Sequence, residues 1–322
     1  MSVRIPAALQ PMVRSESFGW ALLLACVVIW GANAVAFKVA LRPEAVGQPG
    51  PGLDAAMLNG CRFLLVAPLM AGIVAIAKPA ALRLPVRDIP RFVLYGFVAI
   101  AFGETLLTQA LQYTAVANMA LLGPGTMSLW AALWAAVFGE QALTKLGWGG
   151  AVVAFAGVAL VAGSAAGGFR FDGNSWIGDL MALSRAAIHA CYLVFLTRAM
   201  RTRSAFTATL WNILFGALWL VPYVVWKAPS VPWSELPAAV WWALAWTVLP
   251  TTVFGYAAWN WTMSRVGAVA ASKVMFLIPL ASAVCAWLML GEPLQAGQIA
   301  GGVVIVVGIA LLRRGAVREA RA

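Results

Sequence analysis

The stretch FVLYGFVAIAFGETLLTQAL, residues 92–111, has the length and apolarity of a single bilayer crossing, yet it carries Glu104 near its middle. At about 1.5 Å per residue, about 20 apolar residues span a hydrocarbon layer of roughly 30 Å. A carboxylate placed there costs a few kcal/mol to insert, so it needs a partner or a task. The fold depends on how often such a stretch recurs, and the function on what the acid does.

Composition answers the first question in outline. The chain has 322 residues, of which 63% are hydrophobic and 10% charged. Soluble domains carry about 25% charged residues, and a water-soluble chain of this size would lack the polar surface to cover its core. The sequence therefore belongs to an integral membrane protein of the all-α class. The net charge of +11 does not indicate nucleic acid, because the basic residues sit in short connectors and form no basic-aromatic stripe.

Runs like the first recur near 18–37, 56–77, 91–111, 115–138, 147–164, 178–197, 206–226, 238–259, 267–290 and 297–312. Ten transmembrane helices are expected. The first run continues through Val35-Ala36-Phe37, which makes it a span and not a cleaved secretory signal. With the N-terminus inside, the segments on that side hold 15 Lys and Arg residues. The other side holds four, Lys38, Arg42, Arg170 and Lys227. This positive-inside bias places both termini in the cytoplasm and the protein in the inner (cytoplasmic) membrane.

The chain also repeats itself. At an offset of 152, Phe102-Gly103 meets Phe254-Gly255, and Gly139-Glu140 meets Gly291-Glu292. One residue of gap later, VVAFAGVAL (152–160) meets VVIVVGIAL (303–311). The expected organisation is a cytoplasmic tail 1–17, a first five-helix repeat 18–164, a loop 165–177, a second repeat 178–313 and a cytoplasmic tail 314–322. Five spans per repeat force the halves into opposite orientations. Inverted repeats around a central cavity are the architecture of secondary transporters.

Several ordered stretches resemble the EamA-type branch of the drug/metabolite transporter superfamily. They are WGAN (30–33) followed by Lys38, CRF (61–63), QYTAVANMALL (112–122) with FGE (138–140), GDLMALSRAAIHACYLVFLTR (178–198) and RVGAVAASKVMFLIPLASAVCAWLMLGEPL (265–294). The resemblance implies ten helices around a central cavity and transport, often export, of amino acids or other small metabolites. One feature departs from the family: Met127 stands where the fourth span usually has the mate of Pro279, and Gly123-Pro124-Gly125 lies about one turn earlier. Both devices interrupt a helix and free backbone groups that lipid cannot satisfy.

The polar residues inside the spans are the candidate site. Glu104, Thr108 and Gln112 fall on one helical stripe, and Tyr256, Trp259 and Asn260 form a polar-aromatic stripe on the repeat-related span. For Glu104 three roles stand open: substrate binding or proton exchange, a structural ion pair with Arg62, Arg185 or Lys273, or snorkelling to an interface. Arg62 suits helix anchoring. Arg185 and Lys273 suit either pairing with Glu104 or an anionic group on a substrate. His189 reads as a hydrogen-bonded core residue or a group titrating near neutral pH. Asn33 and Asn260 suit helix–helix adhesion or substrate contact.

Trp30, Trp130, Trp134, Trp259 and Trp287 lie deep enough to wall a cavity, whereas Trp226, Trp233, Trp241 and Trp242 suit interfacial belts. Aromatics beside a carboxylate suit a cationic or zwitterionic ligand. The small residues Gly147, Gly150, Ala154 and Gly157 are expected to pack helices within the chain.

The leading functional expectation is a secondary transporter, and most plausibly an exporter, of amino acids or similar zwitterions by alternating access. Its partners are a small-molecule substrate, the lipid bilayer and protons as a candidate coupling ion, in a monomer or homodimer. An integral membrane enzyme acting on a lipid-linked substrate is the rival. Such enzymes gather Asp, Glu or His near one interface, and these spans hold no such pair. No cofactor, metal or nucleic acid is expected: the four cysteines and one histidine form no ligand set, and no nucleotide-binding loop appears.

Overall fold

The computed structural model describes residues 16–139, 142–163, 174–200, 205–256, 258, 259, 262 and 277–317. Twelve helices are used below: α1 (Glu16–Leu41), α2 (Ala55–Ala77), α3 (Ile89–Gly96), α4 (Gly103–Ala110), α5 (Val116–Leu122), α6 (Met127–Val137), α7 (Lys145–Gly163), α8 (Ser175–Met200), α9 (Ala205–Lys227), α10 (Ala238–Trp246), α11 (Ile278–Leu290) and α12 (Ala296–Arg314). Wide π-helical turns at Phe97–Phe102 join α3 to α4, and others at Thr247–Phe254 continue α10. Among the described residues the only strands are β1 (Ala142–Leu143) and β2 (Ala316–Val317), which pair antiparallel beside the start of α7 and the end of α12.

Among the described residues, seven helices are long and apolar enough to cross a membrane, and Lys145–Val161, Ala238–Phe254 and Ile278–Leu290 are shorter apolar helices. The protein is a multi-pass membrane protein. The lipid-facing surface is built from side chains such as Leu24, Leu65, Val152, Trp242 and Val303, all exposed. Trp226 and Trp242 are strongly exposed, as an interfacial belt requires. Trp287 is also exposed, so it faces outward and walls no cavity; α11 turns that side away from α1, which it meets at Ala281.

Helix ends follow their sequence signals. Asp54 caps α2 by accepting from the Met57 backbone N–H at 2.8 Å. The chain leaves α6 at Gly139 with φ 67° and α11 at Gly291 with φ 66°, the left-handed conformation that glycine adopts without strain. Gly123–Thr126 interrupts the fourth span as expected, separating α5 from α6 by a 3-10 turn.

Small residues set the closest contacts. A Cβ added at Gly150 would lie 2.3 Å from the Leu312 nitrogen, and one at Gly308 would lie 2.3 Å from the Ala154 nitrogen. The expected internal packing of Gly147, Gly150, Ala154 and Gly157 is thus realised against α12. Without a hydrophobic drive in lipid, such close backbone approach supplies the van der Waals contact that holds helices together. Elsewhere α2 packs on α9, α1 on α11, α6 on α8, α3 on α9 and α10 on α1.

Candidate functional site

Wide turns place Glu104. A π turn leaves carbonyls without their usual partner one turn on, and such segments are frequent at functional sites. A Cβ on Gly103 would meet the Val98 carbonyl at 2.7 Å, so only glycine fits directly after these turns. Glu104 is the next residue. Gly255 occupies the same place after the second π segment, and Tyr256 follows it.

The Glu104 carboxylate holds two guanidinium groups. Its Oε1 accepts from Arg185 Nη2 at 2.6 Å and its Oε2 from Arg62 Nη1 at 3.1 Å. Side-chain exposures of 15% for Glu104, 4% for Arg62 and 7% for Arg185 show a cluster nearly closed to its surroundings. Of the roles open to Glu104, the structure displays the ion pair. Arg62 is further fixed by donating through Nε and Nη2 to Thr252 Oγ1 at 3.2 and 3.0 Å. It also lies over the rings of Phe37 and Phe63 at 5.1 and 4.6 Å. Arg62 therefore ties α2 to α4 and to the second π segment, which is the anchoring role its sequence context suggested.

Arg185 is less satisfied. Its buried Nε has no hydrogen-bond partner, and neither has Nδ1 of His189 one turn along α8. His189 stacks edge-on against Tyr192 at 5.2 Å, and Asn212 donates to the Tyr192 hydroxyl. Among the described residues the cluster holds two guanidinium groups against one carboxylate. It has a net positive charge and a spare buried donor.

Trp30 donates from Nε1 to the Thr251 carbonyl, within the second π segment, at 3.0 Å. Its ring meets Trp259 at 5.4 Å and Tyr256 at 6.5 Å, so these three expected aromatics do come together. Asn33, one turn on from Trp30, has a buried Oδ1 without a partner. Thr108 is fully buried and spent on packing: its hydroxyl donates to the Glu104 carbonyl at 2.7 Å and accepts from Asn59 Nδ2 at 2.9 Å. Asn260 and Lys273 lie outside the described residues. Gln112 leaves the expected stripe, because α4 ends at Ala110 and the chain turns through Leu111–Thr114.

A second polar centre was not foreseen. A cavity of about 370 Å³ is lined by Lys38, Gln112, Thr114, Asn118, Glu292 and Gln298, among others. Lys38 pairs with Glu292, whose other oxygen accepts from the Val116 N–H at 3.0 Å. Behind this cavity Asp179, 5% exposed, accepts from Thr114 Oγ1 at 2.6 Å and from Asn118 Nδ2 at 3.2 Å to each oxygen. The sequence contained a signal for Asp179, an acid one turn into the sixth span, but its closeness to the loop disguised it as a helix-end residue.

Comparison with known proteins gives the setting. The model of the EamA-like transporter family matches residues 17–163 and again 176–314. An uncharacterized transporter of Bacillus subtilis is 31% identical, over 91% of this chain and 90% of its own length. A probable terminal-alkyne amino-acid exporter of Streptantibioticus cattleyicolor is 26% identical, over 92% and 93%. A probable amino-acid metabolite efflux pump of Salmonella typhimurium is also 26% identical, over 92% and 94%. One crystal structure superposes with a TM-score of 0.62 at 20% identity, covering 93% of this chain and 99% of that one.

Proposed function

Because the chain belongs to the EamA-like transporter family, we propose that this membrane transporter exports amino acids or similar small zwitterions by alternating access. The observation that carries the substrate class is the imbalance at Glu104, two guanidiniums on one carboxylate with the Arg185 Nε–H unpartnered. A substrate carboxylate would take that donor and neutralise the excess charge. The Trp30, Tyr256 and Trp259 rings supply faces for an ammonium group. The names of two relatives, an amino-acid exporter and an amino-acid metabolite efflux pump, point the same way and supply the direction.

Alternating access is supported by paired backbone devices: two π segments, each followed by a glycine, and two left-handed glycines in Gly-Glu pairs 152 residues apart. Helix contacts pair likewise, α2 with the second π segment and α9 with the first. These features suit ten spans in two inverted five-helix repeats, 18–164 and 178–313, with both termini cytoplasmic in an inner membrane. The substrate-binding set is then Glu104, Arg185, His189, Trp30, Asn33, Tyr256 and Trp259, with Asn260 and Lys273 on the second half, and Thr108 holding Glu104's helix.

The test is counterflow in proteoliposomes loaded with a mixture of the protein L-amino acids, read by mass spectrometry. Exchange of at least one amino acid by the wild type, weakened in Arg185→Gln, is expected. No exchange of any amino acid would refute the substrate class. Metabolites outside cells expressing the wild type then give the direction.

A further inference from the structure

Among the described residues, the carboxylates of Glu104 and Asp179 are set well inside the protein and are satisfied in opposite ways. Glu104 is held by two cations. Asp179 has none: among the described residues no Lys, Arg or His nitrogen lies within 4.0 Å of it. Its oxygens meet only the Thr114 hydroxyl and the Asn118 amide. An ionised carboxylate removed from water and left without a cation is a high-energy group, and adding one proton removes that cost.

The amide orientations around Asp179 are not arbitrary. The backbone N–H of Gln295 can only donate, and it donates to Gln298 Oε1 at 2.9 Å in the capping box that starts α12. The Gln298 Nε2 end must therefore point away from that cap, and it donates to Asn118 Oδ1 at 2.7 Å. This in turn directs the Asn118 Nδ2 end at Asp179. A relay that begins at a fixed backbone donor thus presents N–H groups to the carboxylate. A metal cation would need acceptors there. Donors suit a group that carries either a negative charge or a single proton.

Access and mechanical linkage complete the case. Thr114, Asn118 and Gln298, which hold or orient the carboxylate, also line the cavity of about 370 Å³, so water reaches the shell around Asp179. The charged groups facing that cavity are Lys38 and Glu292, which neutralise each other, and Arg42; Tyr113 is the other titratable group there. Asp179 joins α8 to the turn after α4 and to α5, the first half of the interrupted span, so its protonation changes the bonds between those elements. Along α8 it lies six residues, about 9 Å, before Arg185.

We propose that Asp179 is the residue that takes up and releases the coupling proton, and that Glu104, locked between two arginines, is not. In the step, a hydronium ion in the cavity gives its proton to Thr114 Oγ1 as that hydroxyl passes its own proton to Asp179 Oδ1, forming a carboxylic acid and leaving water; the reverse releases it. The protonated acid donates to the Thr114 hydroxyl, which reverses that hydrogen bond and loosens Asn118. The coupling role rests on the transporter reading above, whereas the protonation itself does not.

Infrared difference spectra of the purified full chain between acidic and alkaline buffer test the protonation directly. A carboxylic-acid C=O band of a buried acid, resolved above the frequency of the exposed acids that also titrate, should appear in the wild type and in Glu104→Gln, and be absent from Asp179→Asn. It should shift when aspartate alone is carbon-13 labelled, a control that needs no variant to fold, and it should return in Asp179→Glu. A band that persists in Asp179→Asn, or that ignores aspartate labelling, overturns the assignment.

In proteoliposomes with the same amino-acid mixture, about one pH unit across the membrane should drive up to about tenfold accumulation for one proton per substrate. In Asp179→Asn accumulation should fall to the equilibrium ratio while counterflow continues. Accumulation retained in Asp179→Asn overturns the coupling role. Loss of counterflow from the wild type as well removes the transporter reading, while the infrared band still decides where the proton sits.

Discussion

Replacing Glu104 by Gln removes one negative charge from a cluster that already has a cation in excess. The carboxamide has one acceptor and one NH2 group, so it can keep one arginine and must turn a donor toward the other. Arg62 retains Thr252 Oγ1 and the faces of Phe37 and Phe63. Arg185 loses the one ion-pair partner it has among the described residues, with its Nε already unpaired. Uncovering a buried ion costs about 3–5 kcal/mol. Arg185→Gln alone leaves Glu104 on Arg62 and should cost less, about 1.5–3 kcal/mol for one charge-assisted hydrogen bond.

The double variant Glu104→Gln/Arg185→Gln removes both the acid and the cation it leaves stranded. Its cost should therefore fall short of the sum of the two single costs by about 1–3 kcal/mol. The assay is thermal and denaturant unfolding of each protein in the same detergent, assembled into a double-mutant cycle. A Glu104→Gln cost below about 0.5 kcal/mol, the level of an uninvolved surface change, would refute the reasoning. So would single costs that add within about 0.3–0.5 kcal/mol, since independent sites behave that way.

Gly308→Leu should abolish the folded protein, because even a Cβ there would lie 2.3 Å from the Ala154 backbone; loss of a monodisperse peak on size exclusion checks it. Trp30→Phe keeps the ring contacts but strands the Thr251 carbonyl, and should lower unfolding stability by about 1–3 kcal/mol in the same detergent assay. Exchanging the pair as Lys38→Glu/Glu292→Lys restores the opposite charges yet should not restore wild-type counterflow. A lysine at 292 cannot accept from the Val116 N–H that Glu292 now holds, and full recovery would show that the charges alone matter.

Most of the membrane architecture was legible because lipid imposes a strong rule: backbone groups must be satisfied within each segment, and apolar length then marks the crossings. A break in a helix was legible where the chemistry is local, at Gly123-Pro124-Gly125, whereas the two Gly-Glu pairs were legible as a repeat and not as helix ends. The π segments were not legible. Nothing in FVAIAF distinguishes a wide turn from a regular one, and only the close approach of the Val98 carbonyl to Gly103 reveals why glycine stands there. Residues on one span were assigned to a face by period: Tyr256 and Trp259, placed on one stripe, both meet Trp30, whereas Gln112 lies beyond the end of α4. Pairings between distant spans were open choices in the sequence. Arg62, Arg185 and Lys273 all had claims on Glu104; packing brings Arg62 and Arg185 to it, and Lys273 lies outside the described residues. Asp179 escaped because its partners Thr114, Asn118 and Gln298 each look unremarkable until α8, α5 and α12 converge.

The devices shared by the two halves are backbone devices and the Gly-Glu pairs, whereas the charges of the Glu104 cluster are not shared. Each π segment ends in Phe-Gly, but Glu104 follows one and Tyr256 the other. The eighth residue of α2 is Arg62 and that of α9 is Asn212. On the proposed inverted arrangement, paired backbones give each half access to the conformation of the other at similar energy, which alternation requires. Identical side chains would also make the site equivalent from both faces. Placing Glu104, Arg62 and Trp30 in the first half and Arg185, Tyr256 and Trp259 in the second, with Tyr256 at the mate of Glu104 and Asn212 at the helix position of Arg62, removes that equivalence. On the proposed substrate class, a zwitterion would then meet a fixed orientation, its carboxylate toward Arg185 and its ammonium toward Trp30, Tyr256 and Trp259. Symmetry in the chain path thus serves the motion, and asymmetry in a few buried side chains serves recognition.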